Sequence, residues 1–382
     1  MKVAIVVPYS WSFWGGVTEH AEHQARALEG LGIETRLVMG HDPPGAFTRV
    51  LHPRVGRHDR PPANVVPVGR SVIVPANGSL PNVVLSPPSV WRIRRLFERE
   101  RFDVIHVHEP LTPAIGVAAL ALARSPLVTT FHAHGDLGWM KMGLPLWGFL
   151  AERIDHRIAV SEQARDSAAR WLPGDYEILP NGVLIPEAAE PANREHRAVF
   201  VGRHEPRKGL YVLLRAWPEV HRRTGARLRL IGVDPLAVRL LMVRKRLSDE
   251  GVDVLGLVTE DELSAELLAA KALAAPSLGA ESFGMVLIRA FACATPVVAS
   301  DIPGYRNVMT AERGVLVPPG DPAELAAGLI GLLQDEPRRQ ALGKAGRELV
   351  RERYSWEDLA KRLQATYERL AGRVPAAVGA AA

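Results

Sequence analysis

Short β-branched runs alternate with stretches of helical composition along the whole chain, and the alternation is played out twice. In the first half the runs are residues 3–7, 35–39, 104–108, 127–131 and 157–160; in the second they are 198–201, 228–231, 252–255, 272–275, 296–299 and 315–317. A strand, a crossover helix and the next strand run parallel in one sheet, so this order predicts parallel sheets rather than hairpins. Several runs are apolar without a break, as strands covered by helices on both faces must be. The reading is α/β, with two doubly wound domains, and a chain of 382 residues is longer than one hydrophobic core usually organises.

Between the halves, Leu179-Pro180-Asn181-Gly182-Val183 is followed by residues 186–195, rich in proline, alanine and charge and without a period. The hinge is expected there, which sets the domains at residues 1–182 and 183–356. Doubly wound sheets take ligands beyond the carboxyl ends of their strands, so the functional residues are expected in strand-end loops, in a central cleft that the two sheets face.

At 47% hydrophobic residues the chain belongs with ordinary globular proteins, away from disordered and fibrous classes. Cys293, with Phe291 and Ala292 beside it, is the one cysteine. It allows no intramolecular disulfide, reads as a buried core thiol and points to a reducing compartment. Residues 1–7 are too short an apolar run for a signal peptide, and residues 115–123 are too short to span a bilayer. A cytoplasmic protein is expected. The formal charge of +5 suits polyanionic partners, and nucleotide diphosphates or anionic lipid headgroups fit it better than nucleic acid, for which no module is present.

Six strings carry chemistry. Pro8-Tyr9-Ser10 and Gly15-Gly16-Val17 lead from the first strand into a helix, where glycines let an anion approach free N–H groups, although the spacing is not that of a dinucleotide fingerprint. His106-Val107-His108-Glu109 and Phe131-His132-Ala133-His134 close neighbouring strands. Alternate strand positions share a face, so His106 with His108, or His132 with His134, are candidate zinc ligands, and His106 also reads as a histidine satisfied by the backbone. Gly202-Arg203-His204-Glu205-Pro206-Arg207-Lys208-Gly209 offers a planar fork and a point charge, Arg203 and Lys208, to a diphosphate. Glu281-Ser282-Phe283-Gly284 precedes a helix, and there Glu281 is either a helix cap or a ligand for sugar hydroxyls beside phosphate-binding amides.

Taken together, these strings resemble the retaining family 4 glycosyltransferases of the GT-B fold, and among them the phosphatidylinositol mannosyltransferase-like members. The resemblance rests on the strings above and on Glu109-Pro110, Thr130-Phe131-His132, Pro180-Asn181-Gly182-Val183 and Thr295-Pro296-Val297-Val298-Ala299-Ser300-Asp301, and it covers nearly the whole chain. It implies two Rossmann-like domains, the first on the acceptor side and the second binding a nucleotide sugar, with residues 357–374 folding back onto the first. It implies that Gly15, Gly16, Arg203 and Lys208 bind the sugar donor's diphosphate, that Glu281, Ser282, Phe283 and Gly284 hold the transferred sugar, that Val258 contacts the base, and that His132 acts at the anomeric centre. Tyr9, His108 and Glu109 would meet the acceptor. The implied donor is GDP-mannose or UDP-glucose, with no metal or other cofactor required. The implied acceptor is a lipid or a small polyol or sugar.

Two positions depart from the family. Arg289 stands where a second glutamate, eight residues after Glu281, usually holds the ribose, and Leu80-Pro81-Asn82-Val83 stands where the inositol-lipid enzymes carry a basic residue. A metal-dependent hydrolase built on His106, His108, His132 and His134, and a non-catalytic sugar-nucleotide-binding protein, are the alternative expectations. Finally, Trp91-Arg92-Ile93-Arg94-Arg95-Leu96-Phe97 predicts a helix with one basic and one apolar face, suited to peripheral contact with anionic lipid at the inner face of the cell membrane.

Overall fold

The computed structural model describes residues 1–13, 15–52, 56, 60–74, 80–132, 144–187, 194–279, 281 and 283–372. The chain divides into two compact units, Met1–Gly182 with Trp356–Ala382, and Val183–Ser355.

In the first unit the strands are β1 (Lys2–Ser10), β2 (Glu34–Gly40), β3 (Val65–Gly69), β4 (Ser71–Ile73), β5 (Asn82–Val84), β6 (Val104–His108), β7 (Leu127–Phe131), β8 (His156–Ala159) and β9 (Glu177–Ile178). The sheet runs β3-β2-β1-β6-β7-β8-β9 with every neighbouring pair parallel, and β5 lies antiparallel to β1 and to β4. The second unit holds β10 (Glu195–Val201), β11 (Arg227–Ile231), β12 (Val252–Gly256), β13 (Ala270–Ala275), β14 (Val297–Ser300) and β15 (Gly314–Val317), in the all-parallel order β12-β11-β10-β13-β14-β15. Each sheet therefore reverses its winding once, between β1 and β6 and between β10 and β13. These are the switch points where a doubly wound sheet opens toward a ligand.

The strands expected from sequence are all present. The four that were not, β3, β4, β5 and β9, are short, and β3 carries Pro67, which the sheet edge tolerates because its missing N–H breaks no ladder.

Both sheets are buried on both faces. Val3, Ile5, Val104, Val128 and Ile158 pack on the helices Gly16–Gly30 and Trp356–Ala371, while Ala4, Val6, Ile105, Val107 and Leu127 pack on Pro88–Glu100 and Ile115–Leu122. The helix Trp356–Ala371 presents Trp356, Leu359, Leu363, Tyr367 and Leu370 to the first sheet at helical spacing. In the second unit Cys293 is 2% exposed in the core and burial pushes its thiol up to about 11, as an inert core residue requires.

The chain leaves the first unit at Gly182–Val183 and returns at Ser355–Trp356. The Val183 N–H donates to the Tyr354 carbonyl at 2.9 Å, and Gly182 must be glycine, because a Cβ there would lie 2.5 Å from the Trp356 ring. Of the stretch expected as the hinge, residues 188–193 lie outside the described residues.

Candidate functional site

The switch point of the second unit is built by the loops after β10 and β13. The first turns through Pro206–Lys208 to Gly209, whose φ of +69° and whose approach to the Pro276 carbonyl (a Cβ would sit 1.8 Å from the oxygen) both demand glycine. The Leu278 N–H donates to the Arg207 carbonyl at 2.7 Å, stitching the two loops together.

On this frame Glu281 Oε1 accepts from Lys208 Nζ at 2.6 Å, from Arg207 Nη1 at 2.9 Å and from Ser277 Oγ at 3.3 Å. Glu205 lies 2.8 Å from Arg207 and 3.1 Å from Arg203. The Tyr305 hydroxyl lies 2.8 Å from Ser277 Oγ, and burial, with Glu281 close by, pushes its phenol up, so it stays protonated. Three cations thus meet two carboxylates. The carboxylates are 10% exposed, Lys208 17%, Arg207 21% and Arg203 45%, so the positive groups form the open side of the cluster.

The cap reading of Glu281 is corrected by this geometry. The following helix, Met285–Ala292, is capped by Gly284 with no side-chain hydrogen bond, and the Glu281 carboxylate turns to the cations instead. Gly284 has a φ of +80°, Phe283 is buried in the core, and Ser282 lies outside the described residues. Val258 packs against the second unit's core beside Leu257, which is 58% exposed. Arg289 reaches Glu260 at 3.6 Å, with 19% of its side chain exposed. It is not turned out into solvent.

At the switch point of the first unit, strand alternation sets His106 and His108 on one face of β6, their rings stacked nearly parallel with centroids 4.6 Å apart, with Thr130 of β7 and His132 just beyond it on the same side. His106 is committed on both nitrogens: Nε2 lies 2.6 Å from Thr130 Oγ1, while Nδ1 lies 2.5 Å from the Tyr367 hydroxyl and 3.0 Å from Gln24 Nε2. His108 Nδ1 meets His132 Nε2 at 2.8 Å. Asn181 lies beside the His132 side chain, and the His132 backbone N–H donates to Glu109 at 2.7 Å. Glu109 adopts a φ of 48°, a left-handed conformation that is costly for a residue with a Cβ and here aims its carboxylate at the His132 backbone.

His20, on the helix Gly16–Gly30, completes the cluster, with ring centroids 4.8 Å from both His132 and Trp356. His20, His106, His108 and His132 are at most 8% exposed. Burial holds all four rings neutral: it takes His106 and His132 down to about 3, and it carries His20 and His108 well below the usual histidine range with help from their neighbouring rings. Burial, with Glu109 adding to it, pushes the Tyr9 phenol up. At Gly16 an added Cβ would meet nothing within 4 Å, and Gly15 caps the helix in an extended conformation.

The four-histidine metal set is therefore not the one assembled. His106 spends both nitrogens on hydrogen bonds, His134 lies outside the described residues, and the ring nitrogens that come within 4.8 Å of one another belong to His20, His108 and His132. Sequence reasoning passed over His20, Gln24, Trp356 and Tyr367. Their signal was only helical spacing, which reads as ordinary packing until the sheet beneath is known.

Two family models match in succession, one described as Glycosyltransferase Family 4 over residues 14–185 and one as Glycosyl transferases group 1 over residues 195–335. The phosphatidyl-myo-inositol mannosyltransferase of Mycobacterium leprae (strain TN) is 34% identical over 97% of this chain and 97% of its own. The chain belongs to the family 4 glycosyltransferases. The Mycobacterium tuberculosis (strain ATCC 25618 / H37Rv) protein of the same description is also 34% identical, over 97% of this chain and 98% of its own. Among solved structures, sucrose-phosphate synthase of Thermosynechococcus elongatus superposes with a TM-score of 0.74 at 21% identity, covering 98% of this chain and 100% of that one. Anabaena HepE in complex with UDP gives 0.70 at 20% identity, covering 97% and 100%. These likenesses establish the GT-B fold of this glycosyltransferase, two parallel-sheet α/β domains. They leave its chemistry to its own residues. Membership makes the chain a transferase, and the hydrolase reading falls away.

Proposed function

We propose that this glycosyltransferase moves a hexose, mannose or glucose, from a nucleotide-diphosphate sugar to a lipid or small polyol or sugar acceptor, with retention of anomeric configuration and without a metal ion. The observation that carries the reading is the cationic side of the β10/β13 switch point. Arg203, Arg207 and Lys208 converge there on two carboxylates in partly buried surroundings, where charge is screened less than in water.

A diphosphate entering this cluster takes over the cations, which frees Glu281 to accept from sugar hydroxyls. The second unit then binds the donor, with Val258 toward the base, the segment from Glu281 to Gly284 around the sugar, and Arg289 near the ribose. In the transfer step the bond from C1 to the diphosphate oxygen breaks as the acceptor oxygen bonds C1 on the same face, and the acceptor proton passes to the departing phosphate oxygen. Lys208 and Arg203 stabilise the charge that develops on the diphosphate, which is where such a site gains most of its rate. In the first unit Tyr9, His108 and Glu109 meet the acceptor. Neutral His132, oriented by His108, Asn181 and Glu109, presents a hydrogen bond rather than a charge. A mannosyl donor is favoured by the relatives' description as mannosyltransferases.

No helix among the described residues is long and apolar enough to cross a membrane. The helix Pro88–Glu100 buries Ile93 and Leu96 and leaves Trp91 53% exposed, with the Arg95 guanidinium 3.6 Å over its ring, which supports peripheral contact at the inner face of the cell membrane.

The test is a thermal-shift screen of GDP, UDP and ADP sugars in chelator, followed by turnover of the stabilising donor by wild type and Lys208→Ala. A stabilising sugar nucleotide, together with at least about a hundredfold loss of turnover in the variant at an unchanged melting temperature, is expected. Near-full activity in the variant removes the diphosphate clamp from the mechanism.

A further inference from the structure

The helix Pro235–Lys245 in the second unit is apolar on two opposite faces. Val238 and Met242 are buried in the core, as a covering helix requires. On the other side Leu236, Leu240 and Val243, spaced four and three residues apart, form one stripe that is 65%, 61% and 72% exposed. Three large aliphatic side chains in a row left in water have no folding rationale, because each forgoes the burial that stabilises its counterparts inside.

Charge frames the stripe. On a helical projection Arg239 lies to one side of it and Arg244 to the other, with Lys245 and Arg246 following at the end of the helix, all exposed. Asp234, at the start of the helix, caps it by accepting from the Ala237 N–H at 2.7 Å, and the next acids in the chain, the exposed Asp249 and Glu250, come only after the helix has ended. Beyond Lys245 the surface continues to Tyr211, 41% exposed, with Lys245 Nζ 5.7 Å and the Arg215 guanidinium 5.9 Å from its ring. An apolar ridge flanked on both sides by arginine, with an amphipathic aromatic at its margin, matches a bilayer whose headgroups are anionic: the ridge enters the headgroup layer and the arginines remain at phosphate level.

We propose that the helix Pro235–Lys245 is a membrane-docking face of this glycosyltransferase that recognises anionic lipid, separate from the helix Pro88–Glu100. A second copy of the chain is disfavoured as the occupant, since a symmetric contact through this face would set its arginines against themselves. The proposal concerns where the enzyme sits and needs neither a particular sugar nor a lipid acceptor.

Flotation of the full-length protein with phosphatidylcholine vesicles, with and without phosphatidylserine and with no donor or acceptor present, tests it. Wild type is expected to float with the anionic vesicles and to be released by salt. Each basic residue at such a surface contributes about a fivefold change in partitioning, so Arg239→Glu with Arg244→Glu is expected to weaken binding by at least about thirtyfold. Leu240→Ser with Val243→Ser is expected to weaken it at all salt concentrations. All four positions are exposed, so the melting temperature of each variant should match wild type. Equal flotation of wild type and both double variants overturns the proposal, as do equal recovery on neutral vesicles and a concentration-dependent dimer that the Leu240 and Val243 changes abolish. Turnover with a water-soluble acceptor in detergent reads the transferase chemistry separately, so failure of that reading leaves the flotation result standing.

Discussion

Acidification from pH 7 to pH 5 should loosen the first unit far more than the second, because of the neutral histidines at its switch point. A histidine whose folded pKa lies below its unfolded value binds fewer protons in the folded state, so its stabilising contribution is complete above about pH 6.5 and is lost as pH falls from there toward the folded pKa. His106 and His132 stand at about 3 against a usual value of 6.5. Between pH 7 and pH 5 the unfolded form of each takes up about three-quarters of a proton that the folded form refuses, which costs about 2 kcal/mol per residue and about 4 kcal/mol for the two. His20 and His108 shift in the same direction and add to the loss. Domain stabilities are only about 5–15 kcal/mol, so the effect is a large share of the whole. Carboxylates held low by cations, such as Glu177 beside His156 and Arg362, lose their contribution only below about pH 4.5 and do not confuse this window. Hydrogen exchange followed by mass spectrometry separates the two units. After correction for intrinsic rates, protection in peptides from β6, β7 and the helix Trp356–Ala371 should fall by about a thousandfold between pH 7 and pH 5, the factor that about 4 kcal/mol represents. Protection in β10 and β13 should change far less. Unaltered protection in β6 and β7 would refute the argument that these imidazoles are kept neutral by burial.

Glu281→Gln keeps the side chain's shape but leaves Arg207 and Lys208 without their shared carboxylate, so turnover should drop at least about a hundredfold while nucleotide affinity changes by less than tenfold; equal losses in both would contradict the assigned role. Arg289→Glu alone would set a carboxylate against Glu260, so the informative variant pairs it with Glu260→Gln. Calorimetry should then find the nucleotide sugar bound tighter by roughly 1–2 kcal/mol if a charge-assisted ribose contact is restored, and weaker binding would identify Arg289 as a working ligand. Gly209→Ala combines a positive φ with a clash on the Pro276 carbonyl, and should lower the second unit's stability by more than about 1 kcal/mol in urea titration; an unchanged midpoint would mean that the loop relaxes freely.

The amino-acid sequence by itself determined the two parallel sheets and nearly every strand that positions a site. Runs such as residues 3–7 and Leu127–Phe131 are continuously apolar or β-branched, which is a local property that survives without tertiary context. It also placed Arg203, Lys208, Glu281, His108 and His132 at strand ends, because a glycine-rich or polar string directly after a strand marks that position. Tertiary structure decided which groups meet. Glu281 reads equally as cap or ligand along the chain, and only the fold brings Arg207 and Lys208, more than seventy residues earlier, to its carboxylate. Tyr367 reaches His106 across 261 residues, and no periodicity announces a contact of that separation. The charge state of the histidines was likewise settled in three dimensions, since desolvation depends on the helices Gly16–Gly30 and Trp356–Ala371 that cover the sheet and not on the residues beside each ring in the chain.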